Sequence, residues 1–85
     1  MKTYLLLISL EYINALEIAK SMRGKNFINP FDATISANEQ VKTDEGSDLE
    51  EAYTAIYSVE DFVLACNEQT LNLENFYIAE VLISN

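Results

Sequence analysis

The 85-residue sequence has no histidine, a single cysteine and only five basic residues. Without histidine, the Ser-His and Cys-His nucleophile pairs and the imidazole metal sites are excluded. One cysteine, Cys66, allows neither an internal disulfide nor a zinc site built from several thiolates. A chain without disulfides is typical of a reducing compartment, and we expect a cytoplasmic protein.

The sequence is equally poor in the residues that bind phosphates. Its two glycines, Gly24 and Gly46, do not form a phosphate-binding loop. No basic patch is interleaved with aromatic residues, so we expect no direct contact with nucleic acid. No apolar run approaches the roughly 20 residues that span a bilayer, and the run over residues 4–10 is interpreted as a buried strand. The expectation is a non-enzymatic protein without metal, cofactor or membrane contact.

What the sequence does contain is acid, and it is unevenly distributed. Residues 1–25 hold four bases and two acids, whereas residues 26–85 hold one base and twelve acids, a net charge of −11. Hydrophobic residues make up 49% of the chain, which is enough to fold a core. Strong negative charge steers a protein toward basic partners, although it can also serve solubility alone.

The acids are densest around Gly46, which invites comparison with a calcium loop. An EF-hand needs oxygen ligands at positions 1 and 12 when glycine occupies position 6. Placing Gly46 at position 6 puts Val41 at position 1 and Ala52 at position 12. The EF-hand pattern is therefore absent.

Hydrophobic periodicity predicts a β-α-β-β-α-β order in one domain over residues 1–85. A strand over residues 3–9 precedes a helix over residues 10–23, which Ser9 caps and Gly24 ends. Residues 26–51 are irregular; Phe27, Ile28 and Phe31 are expected to hold them to the core. An edge strand is predicted over residues 33–41 and an acidic loop over residues 43–51.

The second half of the chain has clearer signals. Residues 52–57 fit either a strand or a helix, and the strand is favoured because Ser58 is a good cap for a helix that follows. The inner face of that helix would carry Val59, Phe62, Val63 and Cys66, and residues 76–84 form the last strand. A split βαβ order in so short a chain predicts an α+β, ferredoxin-like sandwich, with four antiparallel strands and two helices on one face.

The candidate functional residues are acids that would act as surrogates for nucleic-acid phosphates. Two tyrosines could anchor the same surface if they face outward, because tyrosine is enriched at binding hot spots. The predicted partner-binding residues are Asp44, Glu45, Asp48, Glu50, Glu51, Tyr53, Tyr57, Glu60 and Asp61.

Small size, strong acidity and the ending IYSVEDFVLACNEQTLNLENFYIAEVLI together resemble a class of small acidic bacteriophage accessory proteins. These are inhibitors of the anti-restriction and anti-CRISPR type, some of which mimic DNA. The resemblance implies an inhibitor that binds a basic protein or nucleoprotein complex of the host. The alternative is a structural or assembly module that acts as a homodimer.

Overall fold

The computed structural model describes residues 1–45 and 54–84, with the backbone alone for residues 42–45. Over these residues the chain has an α+β fold in which three α-helices pack on a mixed four-stranded sheet. The elements are β1 (Lys2–Ser9), α1 (Ala15–Met22), β2 (Asn26–Phe27), α2 (Pro30–Glu45), β3 (Thr54–Ser58), α3 (Val59–Asn67) and β4 (Phe76–Ile83).

The sheet has the strand order β2-β4-β1-β3. β1 is antiparallel to both of its neighbours, β3 and β4, whereas the two-residue β2 runs parallel to the end of β4. The long apolar run of the N-terminal segment thus becomes a central strand, as its composition predicts.

One face of the sheet carries the main core. Leu6 lies opposite Ala79 on β4 and Ile56 on β3, and directly opposed residues share a face. Helices α1 and α2 cover this face with their own buried residues, among them Ile18, Met22 and the α2 residues described below. We call it the two-helix face.

The opposite face is covered by α3 and is called the α3 face. Leu7 is fully buried but lies outside the main core cluster, since its neighbours on β1 point the other way. Tyr57 lies opposite Leu5 on this side, and its ring makes an edge contact with Phe62 of α3 at 6.5 Å between centroids. The molecule therefore has three layers, and each side of the sheet is at least partly covered.

The ferredoxin-like prediction is wrong beyond the α+β class. The observed sheet is mixed, its central strands are β4 and β1, and its three helices lie on two faces. The predicted edge strand over residues 33–41 is the middle of α2. Ala33, Ala37 and Val41 follow one another at four-residue spacing and are all fully buried, so they form the inner side of a helix.

Asn29 and Pro30 start α2 within the segment that was expected to be irregular. The Asn29 Oδ1 accepts a hydrogen bond from the Asp32 backbone N–H at 3.0 Å, which is the contact an N-cap makes. Pro30 occupies the first helical position, where its missing N–H costs nothing. The fourth strand of the sheet is instead β2, Asn26–Phe27, which pairs with β4.

The first helix is shorter than predicted, since it begins at Ala15 rather than at residue 10. Ser9 accepts from the Glu11 backbone N–H at 3.2 Å and so belongs to a turn instead of a helix cap. Gly24 does take the predicted left-handed conformation, with φ of 78°.

The second half of the chain follows the prediction closely. The favoured strand is confirmed as Thr54–Ser58, and residues 52–53 lie outside the described part. Ser58 caps α3, and Phe76–Ile83 is the last strand. The inner face of α3 is only partly as predicted, because Phe62 and Cys66 are half-buried but Val59 and Val63 are exposed.

Candidate protein-binding surfaces

Most side chains of the predicted partner-binding site lie outside the part of the chain that the structure describes. Asp44 and Glu45 are the last two residues of α2, and nothing is described of their side chains. Asp48, Glu50, Glu51 and Tyr53 lie outside the described residues. The described members of the predicted site are Tyr57, Glu60 and Asp61.

Glu60 and Asp61 form the exposed first turn of α3. The Asp61 backbone N–H donates to the Ser58 Oγ at 3.1 Å, and carboxylates at this position are stabilised by the helix dipole. Both acids line an open depression of about 500 Å³, together with Lys2, Thr3, Tyr4, Ser58 and Val59. Their presence therefore has a structural reason as well as a candidate binding role.

The described acids of the predicted site lie at one end of β3. Glu60 and Asp61 follow Ser58, which lies opposite Tyr4, whereas Thr54 at the start of the strand lies opposite Ile8. Five residues of strand separate the two ends by about 13 Å.

Tyr57 is not a freely projecting anchor. It is half-buried on the α3 face, where its ring packs edge-on against Phe62 at an interplanar angle of 69°. Its packing role explains an aromatic residue at this strand position without any partner.

The sheet face beside α3 is open over β4. Glu80 lies in an inner strand yet is exposed, and its directly opposed residue on β1 is Leu5. Ile78 and Leu82, two residues to either side of Glu80, share its face and are half-buried, as is Leu5. These four residues, Leu5, Ile78, Glu80 and Leu82, are named the open half of the α3 face.

The backbone before β2 lies along the edge of β4 next to Glu80. Gly24 donates its backbone N–H to the Glu80 carbonyl at 2.8 Å. This contact joins backbone atoms, and the Glu80 residue itself remains exposed.

Further carboxylates stand around this open half. Glu60 and Asp61 lie where α3 begins, at the Tyr4 end of the sheet, while Glu68 follows α3 and Glu74 precedes β4. β4 begins opposite Ser9, at the other end. All four are exposed, and none forms an ion pair with another side chain in the described part of the chain. The sequence predicted a strand over residues 76–84, but nothing in it indicated that this face of the sheet stays uncovered.

A second exposed surface lies on α2 and the residue pair before it. Ile28 is 73% exposed and Phe31 70% exposed, so neither holds the segment to the core as predicted. Phe27 alone does so, packing half-buried against the main core. Phe31 and Ile35 are one helical turn apart, and Ile35 is 41% exposed. Ile28, Phe31 and Ile35 are named the α2 apolar stripe.

Comparison with protein-family models, with curated proteins and with solved structures finds no match to this chain. Within residues 1–45 and 54–84, no helix is long and apolar enough to cross a membrane. Over the same ranges, no three His, Cys, Asp or Glu side chains come together as a metal-binding cluster.

Proposed function

We propose that this protein is a non-enzymatic inhibitor, encoded by a bacteriophage and acting in the host cytoplasm. Its acidic surface would occupy the basic nucleic-acid-binding surface of a host defence complex, of the CRISPR or the restriction type, as a mimic of DNA. The carboxylates of residues 43–51, which we call the acidic segment, and those of the α3 N-terminus would take the place of phosphates.

The observation that carries this proposal is the segregation of charge. Twelve acids and one base lie in residues 26–85, and described acids such as Glu60, Glu68 and Glu80 are exposed and unpaired with described side chains. Carboxylates that only balanced nearby lysines would be neutralised within the protein. Unpaired ones create a negative field, which attracts a Lys- and Arg-lined channel and repels nucleic acid.

A plating assay tests this proposal. Bacteria with an active CRISPR or restriction system are challenged with a sensitive phage, with or without the protein, and plaques are counted. The variant D48N/E50Q/E51Q removes three charges without changing side-chain size. We expect wild type to restore plaques in at least one of the two systems, and the variant to lose most of this effect.

E11Q/E17Q is the matched control, because Glu11 and Glu17 are exposed acids in the first 25 residues. We expect it to inhibit like wild type. Inhibition that survives D48N/E50Q/E51Q and the further change E60Q/D61N would refute DNA mimicry, and failure to protect phage from either system would refute the inhibitor proposal.

The second candidate is an assembly module that forms a homodimer, and the α2 apolar stripe favours it. Large apolar side chains exposed next to one another often mark interaction sites. Sedimentation across a dilution series measures the association, and Phe31→Ser should disperse a dimer built on the stripe. A wild-type protein that stays monomeric throughout the series would refute this candidate.

A further inference from the structure

We propose that the open half of the α3 face binds a cationic amphipathic helix of a partner protein. The inference rests on the proposed function in one respect, namely that the partner is basic. The contact surface differs from the acidic segment, and the partner contributes a helix that is both basic and amphipathic.

The aliphatic residues of this surface indicate that the side of the ligand facing them is apolar. Leu5, Ile78 and Leu82 expose part of their side chains on a flat strand surface, with α3 standing along one side. A helix laid along β4 could cover all three with residues spaced at i, i+3 or i+4, and i+7. Covering half-buried aliphatic side chains stabilises a complex by about 25 cal/mol per Å² of apolar area removed from water.

The negative charge of Glu80 indicates which kind of apolar ligand fits this surface. Glu80 stands among the three aliphatic side chains, so a ligand covering them must also meet a carboxylate. A Lys or Arg lays its aliphatic stem on apolar surface and brings its cation to a carboxylate. The acids at both ends, Glu60 and Asp61 at one and Glu68 and Glu74 at the other, favour further cations along the same helix.

A second copy of this chain fits poorly. In a two-fold dimer the same patch faces itself, which would bring Glu80 of each copy into one apolar interface. Burying like charges without a partner is unfavourable, and two chains of net charge −9 repel one another before contact. A basic helix satisfies Glu80, whereas a second copy leaves it unpaired.

Binding of two synthetic peptides to isotope-labelled protein tests the inference. The first peptide is a helix of about four turns with Leu on one side and Lys on the other. The second has the same composition in scrambled order, so it keeps the charge but loses the apolar side. We expect the amphipathic peptide to bind more than about tenfold more tightly, and to shift the methyl signals of Leu5, Ile78 and Leu82 but not those of Ile28 and Ile35.

Charge reversal at one residue gives the second readout. E80K should weaken binding of the amphipathic peptide at least about tenfold, since a charge-assisted contact is replaced by repulsion. E17K makes the same change on α1, which covers the opposite face, and should weaken binding by no more than about threefold. Both substituted residues are exposed. Methyl signals of residues far from the substitution should stay at their wild-type positions, which verifies that each variant folds.

Equal binding of the two peptides, or equal effects of E80K and E17K, would overturn the inference while leaving charge-driven docking intact. Methyl shifts confined to residues outside the open half would do the same. If neither peptide binds, the inference fails, and the plating assay still decides the proposed function separately.

Discussion

Leu7→Ala tests the layer that α3 adds to the sheet. Leu7 is fully buried on the α3 face, so its truncation removes three carbons that no solvent reaches. At about 0.8 kcal/mol per methylene, the transfer loss alone is roughly 2.4 kcal/mol. The cavity left under α3 raises the expected loss to about 2.7–5 kcal/mol, as in other buried Leu→Ala changes.

Such a loss is large for this protein. At about 0.05–0.15 kcal/mol per residue, the free energy of unfolding of a chain of this length is roughly 4–13 kcal/mol. Urea denaturation followed by circular dichroism, with the free energy extrapolated to water, measures the difference. The matched control is Leu64→Ala, because Leu64 lies on α3 itself and is 54% exposed. Its truncation should cost less than about 1 kcal/mol.

A loss below about 1 kcal/mol for Leu7→Ala would refute the reasoning, since a cavity under α3 costs more than that. It would mean that α3 does not pack on this face in solution. The open half of the α3 face would then extend over the whole sheet.

Changes at three further positions test the ends of the helices by the same denaturation assay. Ser58→Ala removes the oxygen that accepts the Asp61 N–H and should cost about 1 kcal/mol, whereas Ser58→Asp should retain most of the stability. Asn29→Ala removes the contact to the Asp32 N–H and should cost a similar amount, about 1 kcal/mol; no loss would contradict the start of α2 at Pro30. Gly24→Ala meets no neighbouring atom but must hold φ near 78°, so the strain should cost about 1–2 kcal/mol. A neutral or stabilising Gly24→Ala would show that the left-handed conformation is not required.

Local signals predicted those elements whose causes lie within a few residues. Ser58 starts α3 because its side chain reaches a backbone N–H three residues ahead. The last strand alternates from Phe76 to Ile83, and its buried residues Ala79, Val81 and Ile83 follow one another at two-residue spacing. Gly24 takes a conformation that few other residues adopt without strain.

The helix α2 was missed because its pattern contradicts ordinary amphipathicity. Its inner side consists mainly of small residues, Ala33 and Ala37, whereas the larger Phe31 and Ile35 point outward. A periodicity argument weights large apolar residues and therefore finds no inner face. The cap formed by Asn29 and Pro30 was the signal that could have identified the helix.

The remaining differences arise from contacts between distant parts of the chain. Leu10 donates its backbone N–H to the Asn75 carbonyl at 2.9 Å, which holds the segment before α1 out of the helix. Leu82 donates to the Lys25 carbonyl at 2.9 Å, and this bond helps place β2 beside β4. The exposure of Glu80 likewise follows from how much of the sheet α3 covers. Residue spacing in the sequence reports local structure and does not show which distant segments pair. The open half of the α3 face therefore could not be predicted.

The central claim is that the acidic surface binds one basic nucleic-acid-handling complex. The most direct test is an affinity pull-down from a bacterial host lysate with wild type and D48N/E50Q/E51Q, washed with rising salt. Going from about 0.1 M to about 1 M salt shortens the Debye length from about 10 Å to about 3 Å, which weakens contacts between exposed charges. The account predicts recovery of such a complex by wild type, its release by salt, and poor recovery by the variant. Recovery of only the protein itself, or of a partner that the salt wash and the variant leave unaffected, would contradict it.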